Sequence, residues 1–335
     1  MKYLLGVDGG NTKTDFFLFN IDLKLVDFIR GGSCSHESYS EGFIAAERML
    51  RSYIEPLLLR NKLTTGDVVA AVFGLAGVDT PNQKKRIEEI IERIGFSCFK
   101  IVNDSFLGIK AASDYGYGVS SVNGTGTSSG GVDPFGNVLQ VGGIGYLSGD
   151  EAGGKYIARE AIKATFDELY RFGKKTSLTP YVMDMFNVTD KLYMMEAMSE
   201  RLYKLDLTLL TIQVFEAANH NDEVALDILK KTADNLARSA GGVVSNLSFL
   251  DVVPVVLIGS VWAKGSCPVL VDTFKERINF YTNKNCEVFV LKLPPATGAV
   301  IWAYELYSNS FPKREIRDKI IAEINKVFVN MDVKK

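Results

Sequence analysis

Two short stretches of this chain have the composition of phosphate-binding turns. The first is Gly6-Val7-Asp8-Gly9-Gly10-Asn11-Thr12-Lys13-Thr14, and the second is Val122-Asn123-Gly124-Thr125-Gly126-Thr127-Ser128-Ser129. Each follows an apolar run, Tyr3 to Val7 and Tyr117 to Val122, and each leads into a second strand-like run. Glycine lets backbone N–H groups come close to a bulky anion, and Thr and Ser hydroxyls add donors without adding charge. Singly, each stretch reads as an ordinary tight hairpin, because Gly and Asn are the usual turn residues. As a pair they favour a polyphosphate clamp, with Gly9, Gly10, Asn11, Thr12, Lys13 and Thr14 on one tip and Gly124, Thr125, Gly126 and Thr127 on the other. Asp8 is either a turn-capping aspartate or a carboxylate that holds Mg²⁺ through water, since Mg²⁺ dehydrates reluctantly. Lys13 is either a solvated turn lysine or a phosphate-neutralising one.

Other residues could do chemistry with such a phosphate. Asp104 follows the strand-like run Phe99–Val102 and precedes a helical run. By itself it reads as a helix N-cap, although ligands of open α/β sheets bind outside the carboxyl ends of strands. Gly74-Leu75-Ala76-Gly77 ends another apolar run, in a loop where backbone can approach a ligand. Asp150 and Glu151 precede a helix, where the dipole favours them. Two better-known nucleotide signatures fail. Gly149-x-x-x-x-Gly154-Lys155 has Tyr156 in place of the magnesium-binding hydroxyl and no strand leading in, and Gly124-x-Gly126 lacks the third glycine of a dinucleotide fingerprint. His36 and His220 are isolated, without the partners a metal site needs.

Five segments in order give the chain a family resemblance: Gly6–Thr14, Val102-Asn103-Asp104, Gly124–Thr127, Gly149-Asp150-Glu151 and Gly259-Ser260-Val261-Trp262. Together they resemble the sugar kinase, heat-shock chaperone and actin ATPase superfamily. Within it the resemblance is to the N-acetylglucosamine kinase family and its relatives, the CoA-reductase and dehydratase activator ATPases. It implies an α/β chain of two ribonuclease-H-like domains, a duplicated βββαβαβα unit with a nucleotide cleft between them. It implies ATP and Mg²⁺, with Asp8 toward the metal, the two tips toward the phosphates and Gly259-Ser260 behind the adenine. It makes Asp104 the base that orients and deprotonates an acceptor hydroxyl. Sugar contacts are carried over to Ser35, His36, Gly77, Asn103, Asp104, Gly143, Ile144 and Asp150. The pattern departs at Ser35, where asparagine is usual before His36, at Ile144, where tryptophan is usual, and at Ala152-Gly153-Gly154. These departures fall among the sugar residues, so the resemblance implies an amino sugar such as N-acetylglucosamine or glucosamine without choosing one. Activator ATPases, as a group, hold an iron–sulfur cluster through paired cysteines and drive a partner enzyme; a nucleotide-dependent regulatory module is a third reading.

The elements that must position these residues follow from hydrophobic periodicity. Strands are expected at Tyr3–Val7, Asp15–Asn20, Leu25–Ile29, Val68–Phe73, Phe99–Val102, Tyr117–Val122, Gly130–Val132, Val255–Ile258 and Glu287–Leu291. Helices are expected from Phe43 to Leu58 and over Asn82–Ile94, Ser105–Ala112, Ala225–Asn246, Thr297–Leu306 and Ile316–Val327, with extra helices between Leu178 and Leu210. The expected domains are 1–115, 116–310 with a helical insertion, and a closing helix in 311–335. The chain's 335 residues suffice for two domains. A net charge of −2 indicates no basic face for nucleic acid. Cys34, Cys98, Cys267 and Cys286 show no C-x-x-C spacing, which fits a reducing cytoplasm better than a disulfide framework or zinc site. No run of 18 apolar residues occurs, and the first apolar run stops at Asp8, too short for a signal peptide. A cytoplasmic homodimer acting on a small sugar is the expectation.

Overall fold

The computed structural model describes residues 2–201 and 205–332. Its strands are β1 (Tyr3–Gly9), β2 (Lys13–Asn20), β3 (Leu25–Gly32), β4 (Val68–Leu75), β5 (Phe99–Val102), β6 (Gly118–Asn123), β7 (Thr127–Val132), β8 (Val138–Gly142), β9 (Val252–Ile258) and β10 (Asn285–Val290). The helices of the first half are α1 (Phe43–Arg60), α2 (Pro81–Ile94) and α3 (Leu107–Ala112). Those of the second half are α4 (Gly154–Tyr170), α5 (Leu178–Met185), α6 (Met194–Arg201), α7 (Leu207–Asn219), α8 (Glu223–Asn246), α9 (Ser260–Lys264), α10 (Pro268–Thr282), α11 (Ala296–Ser308) and α12 (Arg314–Asp332).

Two five-stranded sheets carry the chain, in the orders β3-β2-β1-β4-β5 and β8-β7-β6-β9-β10. Element for element the second order repeats the first, which is the duplication the sequence implies. In the first sheet β1 pairs antiparallel with β2 and parallel with β4, and β4 pairs parallel with β5. A parallel pair places the carboxyl ends of its strands on one edge. Asp8 lies opposite Gly74, which in turn lies opposite Val102. The segments after β1, β4 and β5 therefore emerge side by side.

Contacts divide the chain into two units: residues 1–120, 130–138 and 291–335, and residues 121–129 with 139–290. This differs from a boundary at 310, because α11 belongs to the first unit. The cause is close packing at two glycines. A Cβ on Gly6 would lie 2.7 Å from the Val300 backbone nitrogen, and one on Gly298 would lie 1.8 Å from the Leu107 carbonyl oxygen. Helix α11 is thereby seated on β1 and α3, with Ala299, Val300 and Ile301 fully buried. Replacing Gly298 with Ala should cost about 3 kcal/mol or more, since the clash is with backbone, and this outweighs the roughly 1 kcal/mol gained in helix propensity. The urea midpoint of the variant should fall accordingly; an unchanged midpoint would contradict this packing.

The first unit's core has two layers, one on each face of its sheet. Leu5, Val7, Phe16 and Phe73 face α1 and α2, while Leu4, Phe17, Phe19 and Val72 face α11 and α12. Most strands extend beyond their expected ends. β1 runs through Asp8 and Gly9, so Asp8 is a strand residue paired with Asp15, not a turn residue. β3 includes Gly31, where the Tyr53 ring leaves no space for a side chain. Strand β8 and helices α9 and α10 have no counterpart in the sequence expectation. No helix among the described residues is long and apolar enough to cross a membrane.

Candidate active site

The first unit gathers its candidate residues on the carboxyl edge of β1, β4 and β5. The N–H of Gly10 donates to the Lys13 carbonyl at 2.9 Å, closing a tight turn that exposes Asn11, Thr12 and Lys13. Thr14 is buried, and its hydroxyl accepts the Cys34 N–H. Ser33 Oγ donates to the Gly10 carbonyl, and Ser38 Oγ to that of Asn11, so residues 33–38 brace the turn. Asp15 is occupied: Arg30 donates to both its carboxylate oxygens, at 2.6 and 2.7 Å. Lys13 Nζ lies 3.8 Å from the same carboxylate and stays over half exposed.

Asp8 has no such arginine. Burial pushes its carboxyl up to about 7, with the nearby charges of Asp104 and Asp15 adding to the shift; Lys13 and a hydrogen bond from the Ala296 N–H, at the start of α11, oppose it. Asp104 is likewise pushed up to about 7, by burial first and by the charge of Asp79 second. Two carboxylates are thus held in a poorly solvated corner with too little positive charge. Among the described residues no set of three or more His, Cys, Asp or Glu side chains could hold a metal unaided. Two carboxylates with little positive charge beside them are the kind of donor set that a hydrated Mg²⁺, which takes few protein ligands, accepts.

The segment after β5 shows which residue caps the turn that carries Asp104. Asn103 is the N-cap of the short 3₁₀ turn Asp104–Phe106, its Oδ1 accepting the Ser105 N–H at 2.9 Å. The cap is therefore Asn103, and the backbone N–H groups of Asp104 and Ser105 also bond the Asp104 carboxylate, opposing the effect of burial on it. The Asn103 amide also donates to Asp79 Oδ1 at 3.0 Å, tying the loop after β4 to the end of β5. In that loop Gly77 has φ +80°, and a Cβ there would lie 2.8 Å from Ser35 Oγ and 3.0 Å from the His36 ring. Ser35 is buried and accepts the Glu37 N–H. The His36 ring stacks on Phe43 at 4.0 Å, and burial holds its pKa below the usual value. Ser35, His36, Gly77, Asn103 and Asp104 thus converge through Asp79. Sequence reasoning passed over Asp79 and Phe43, which belong to no motif.

The second unit holds the other tip. The Gly124 N–H donates to the Gly126 carbonyl, and the Gly124 carbonyl accepts the Gly154 N–H at 2.8 Å. Neither Gly124 nor Gly126 has positive φ, and a Cβ on either would meet nothing within 4 Å. Packing does not demand these glycines, so the open space beside their backbone is free for an anion. Thr125 is exposed, whereas the Thr127 hydroxyl donates to the Val122 carbonyl. Gly259, at φ +113°, lies against the Asn123 carbonyl, where a Cβ would approach within 2.5 Å, and this aims the start of α9 at the tip. Beside the tip is a cavity of about 870 Å³ lined by Thr125, Lys155, Arg159, Asp206, Ser260 and Lys264, among others. That volume suits a nucleotide. Lys155 and Arg159 are one helical turn apart at the start of α4, a spacing visible in the sequence and overlooked there.

Gly143, Ile144 and Asp150 form a separate cluster in the second unit. Asp150 Oδ2 accepts the Gly143 N–H, the Gly145 N–H and the Ser148 hydroxyl, at 2.9, 2.6 and 2.9 Å. This carboxylate organises the glycine-rich loop, which leaves Ile144 and Leu147 exposed. Glu151 is held by the Asn235 amide, which donates to its carbonyl at 3.0 Å.

Comparison with known proteins shows the chain's family and fold. The family model described as the BadF/BadG/BcrA/BcrD ATPase family matches residues 5–303. A curated relative from Clostridium acetobutylicum, named N-acetylmuramic acid/N-acetylglucosamine kinase, is 30% identical over 310 residues, covering 90% of this chain and 98% of its own. A solved structure of a candidate N-acetylglucosamine kinase from Chromobacterium violaceum superposes with a TM-score of 0.64 at 23% identity, covering 92% of this chain and 99% of the other. A glucokinase from Streptomyces griseus, solved with glucose and AMPPNP, superposes with a TM-score of 0.51 at 14% identity, covering 92% and 99%. The likeness to the two solved structures is one of fold.

Proposed function

From a chain that belongs to the BadF/BadG/BcrA/BcrD ATPase family, we infer an ATP-dependent kinase that phosphorylates an amino sugar such as N-acetylglucosamine or glucosamine. The observation that carries this reading is the Asp104 carboxylate, in a turn whose cap is Asn103 and raised in basicity by burial at the edge that also holds Ser35, His36 and Gly77. The name of the Clostridium relative supports the same substrate class.

In this mechanism Ser35, His36 and Asn103 orient the sugar, and Asp104 accepts a hydrogen bond from the acceptor hydroxyl and takes its proton as the phosphoryl group transfers. The Gly124–Thr127 tip, folded by the Gly124 N–H bond to the Gly126 carbonyl, would offer the nucleotide phosphates the exposed Thr125 hydroxyl and the backbone N–H groups of Thr125 and Gly126. The cavity with Gly259 and Ser260 takes the base and ribose. The turn Gly9–Thr14, with Lys13, offers further donors and one positive charge. Asp8 would hold Mg²⁺, which when bound neutralises phosphate charge. Phosphoryl transfer asks mostly for positioning and charge stabilisation, and these residues are of the kinds that supply both. The same reading carries a cytoplasmic homodimer as its expectation. An ADP-release screen over amino sugars and plain hexoses tests it: release should depend on an added amino sugar, and sugar-independent release throughout would count against it.

The family description also keeps the activator ATPase reading in play. Cys34, Cys267 and Cys286 are buried, and burial pushes the Cys34 thiol up to about 11, away from a ligating thiolate. Protein purified without oxygen should be colourless and lack stoichiometric iron, because an iron–sulfur cluster takes thiolate ligands. Iron and sulfide in fixed ratio would promote the activator reading.

A further inference from the structure

The start of α4 breaks several local rules at once, and no step of the mechanism above uses it. Its N-cap is Gly153, which makes no side-chain capping bond, and its first turn holds no acidic residue. Ser, Thr, Asp or Asn is the usual cap, and a first turn favours negative side chains. This first turn holds a cation instead, Lys155. Arg159 follows at the i,i+4 spacing, which sets like charges against each other. The N–H groups of Lys155 and Tyr156 have no acceptor among the described residues. Departures of this kind cost stability, and proteins keep them mainly at functional sites.

Two glycines fix what this turn faces. Gly153 has φ +88°, and a Cβ on it would lie 2.8 Å from the Thr125 carbonyl oxygen. The Gly154 N–H donates to the Gly124 carbonyl at 2.8 Å. The turn is thereby seated on the second glycine tip. Lys155 and Arg159 both line the cavity of about 870 Å³ beside that tip, and Lys264, at the end of α9, lines it as well. None of the three forms an ion pair among the described residues, although Asp167 and Glu160, also on α4, bind Arg171 and Lys231. Asp206 and Glu216 line the cavity too, but Asp206 caps α7, where it accepts the Thr208 N–H. Adenine and ribose are neutral and need no such charge, whereas the phosphates of a nucleotide do.

We propose that the first turn of α4, with Lys155, Arg159 and Lys264, is a phosphate site that holds the phosphates left on the nucleoside after transfer. The inference rests on the kinase reading and deepens it, by naming the residues that keep the nucleoside diphosphate. The free N–H groups and the helix dipole favour an anion at this turn. Charge-assisted hydrogen bonds from the two α4 side chains add to them. An anion between Lys155 and Arg159 also relieves their mutual repulsion. The nucleoside diphosphate is thus held by the chain's own charges, without a bridging metal ion.

The test measures binding of ADP and of adenosine to the full-length protein by calorimetry, with EDTA present so that no metal bridges the phosphates. Wild type should bind ADP roughly 10-fold or more tightly than adenosine. Lys155→Met and Arg159→Met should each lose roughly 10-fold in ADP affinity while staying within about twofold on adenosine. Lys155→Arg should recover most of the loss. Without ligand, Lys155→Met should melt no lower than wild type, because the charge it removes opposes the helix dipole. Should a variant fold poorly, the wild type alone decides: the Kd of ADP should rise with ionic strength and that of adenosine should not. Unchanged ADP affinity in both variants, equal losses on ADP and adenosine, or ADP bound only when Mg²⁺ is added would overturn the assignment and leave the kinase reading standing. A wild type that binds no adenine nucleotide, with Mg²⁺ or without, would remove that reading, and this inference with it.

Discussion

Asp104→Asn should lower kcat by roughly 10²- to 10⁴-fold, the usual worth of general base assistance. Asparagine keeps size and polarity but cannot take a proton. Nucleotide affinity should barely change, because the proposed phosphate donors are Gly124–Thr127 and Gly9–Thr14, not this side chain. The fold should also hold, since the cap of the Asp104–Phe106 turn is Asn103. Stability above neutral pH should rise. A carboxyl raised from 3.8 to about 7 is a destabilising charge in the folded protein once ionised. Each kcal/mol so gained moves Tm by about 2–4 °C in a protein of this class. The rate profile of the wild type should follow the same group: kcat/KM rises as pH passes about 7 and then levels. Near-normal turnover in the variant would return Asp104 to a structural role.

Asp8→Asn should be nearly as damaging, lowering kcat by roughly 10²- to 10³-fold, a loss typical of removing one electrostatic contact to a developing charge. Its distinguishing mark is in stability. The folded protein holds a proton on Asp8 up to about pH 7, while the unfolded chain releases it near 3.8. Between these values the folded state binds more protons, so stability falls as pH rises from about 4 to 7 and is flat above. The variant should lack this share of the decline and exceed wild type in Tm at pH 8. Repulsion between Asp8 and Asp104 is mutual, so the neutral variant also lowers the partner's pKa. Mg²⁺ at pH 8 should raise the Tm of wild type and leave that of Asp8→Asn unchanged. Equal responses to Mg²⁺ would move the metal away from Asp8.

Much of this was legible in the sequence because it rests on local signals. The tip at Gly9–Thr14, the helix stop at Gly95 and the strand Phe99–Val102 follow from turn residues and apolar runs, and the structure has them at or near those positions. What escaped depends on tertiary neighbours. Strand β8, with Val138 exposed, lies at a sheet edge and has too weak an apolar alternation to announce itself. Helix α10 mixes polar and apolar residues, and its buried Leu270, Phe274 and Ile278 emerge as a stripe only with the core known. Asp79 has no motif; the parallel pairing of β4 with β5 brings it to Asn103. Asp104 read as a cap because any Asp before a helix does, and only the backbone reveals that Asn103 holds the cap. The place of α11 was encoded in Gly6 and Gly298, but a glycine inside a helix does not say what presses against it.

The central claim is that a phosphoryl group passes from ATP to an amino sugar. Incubating the full-length protein with ATP, Mg²⁺ and N-acetylglucosamine, and following both products by mass spectrometry, tests it most directly. One phosphorylated sugar should form for each ADP, and neither product should form with Asp104→Asn on the same time scale. ADP accumulating with no phosphorylated sugar would contradict it.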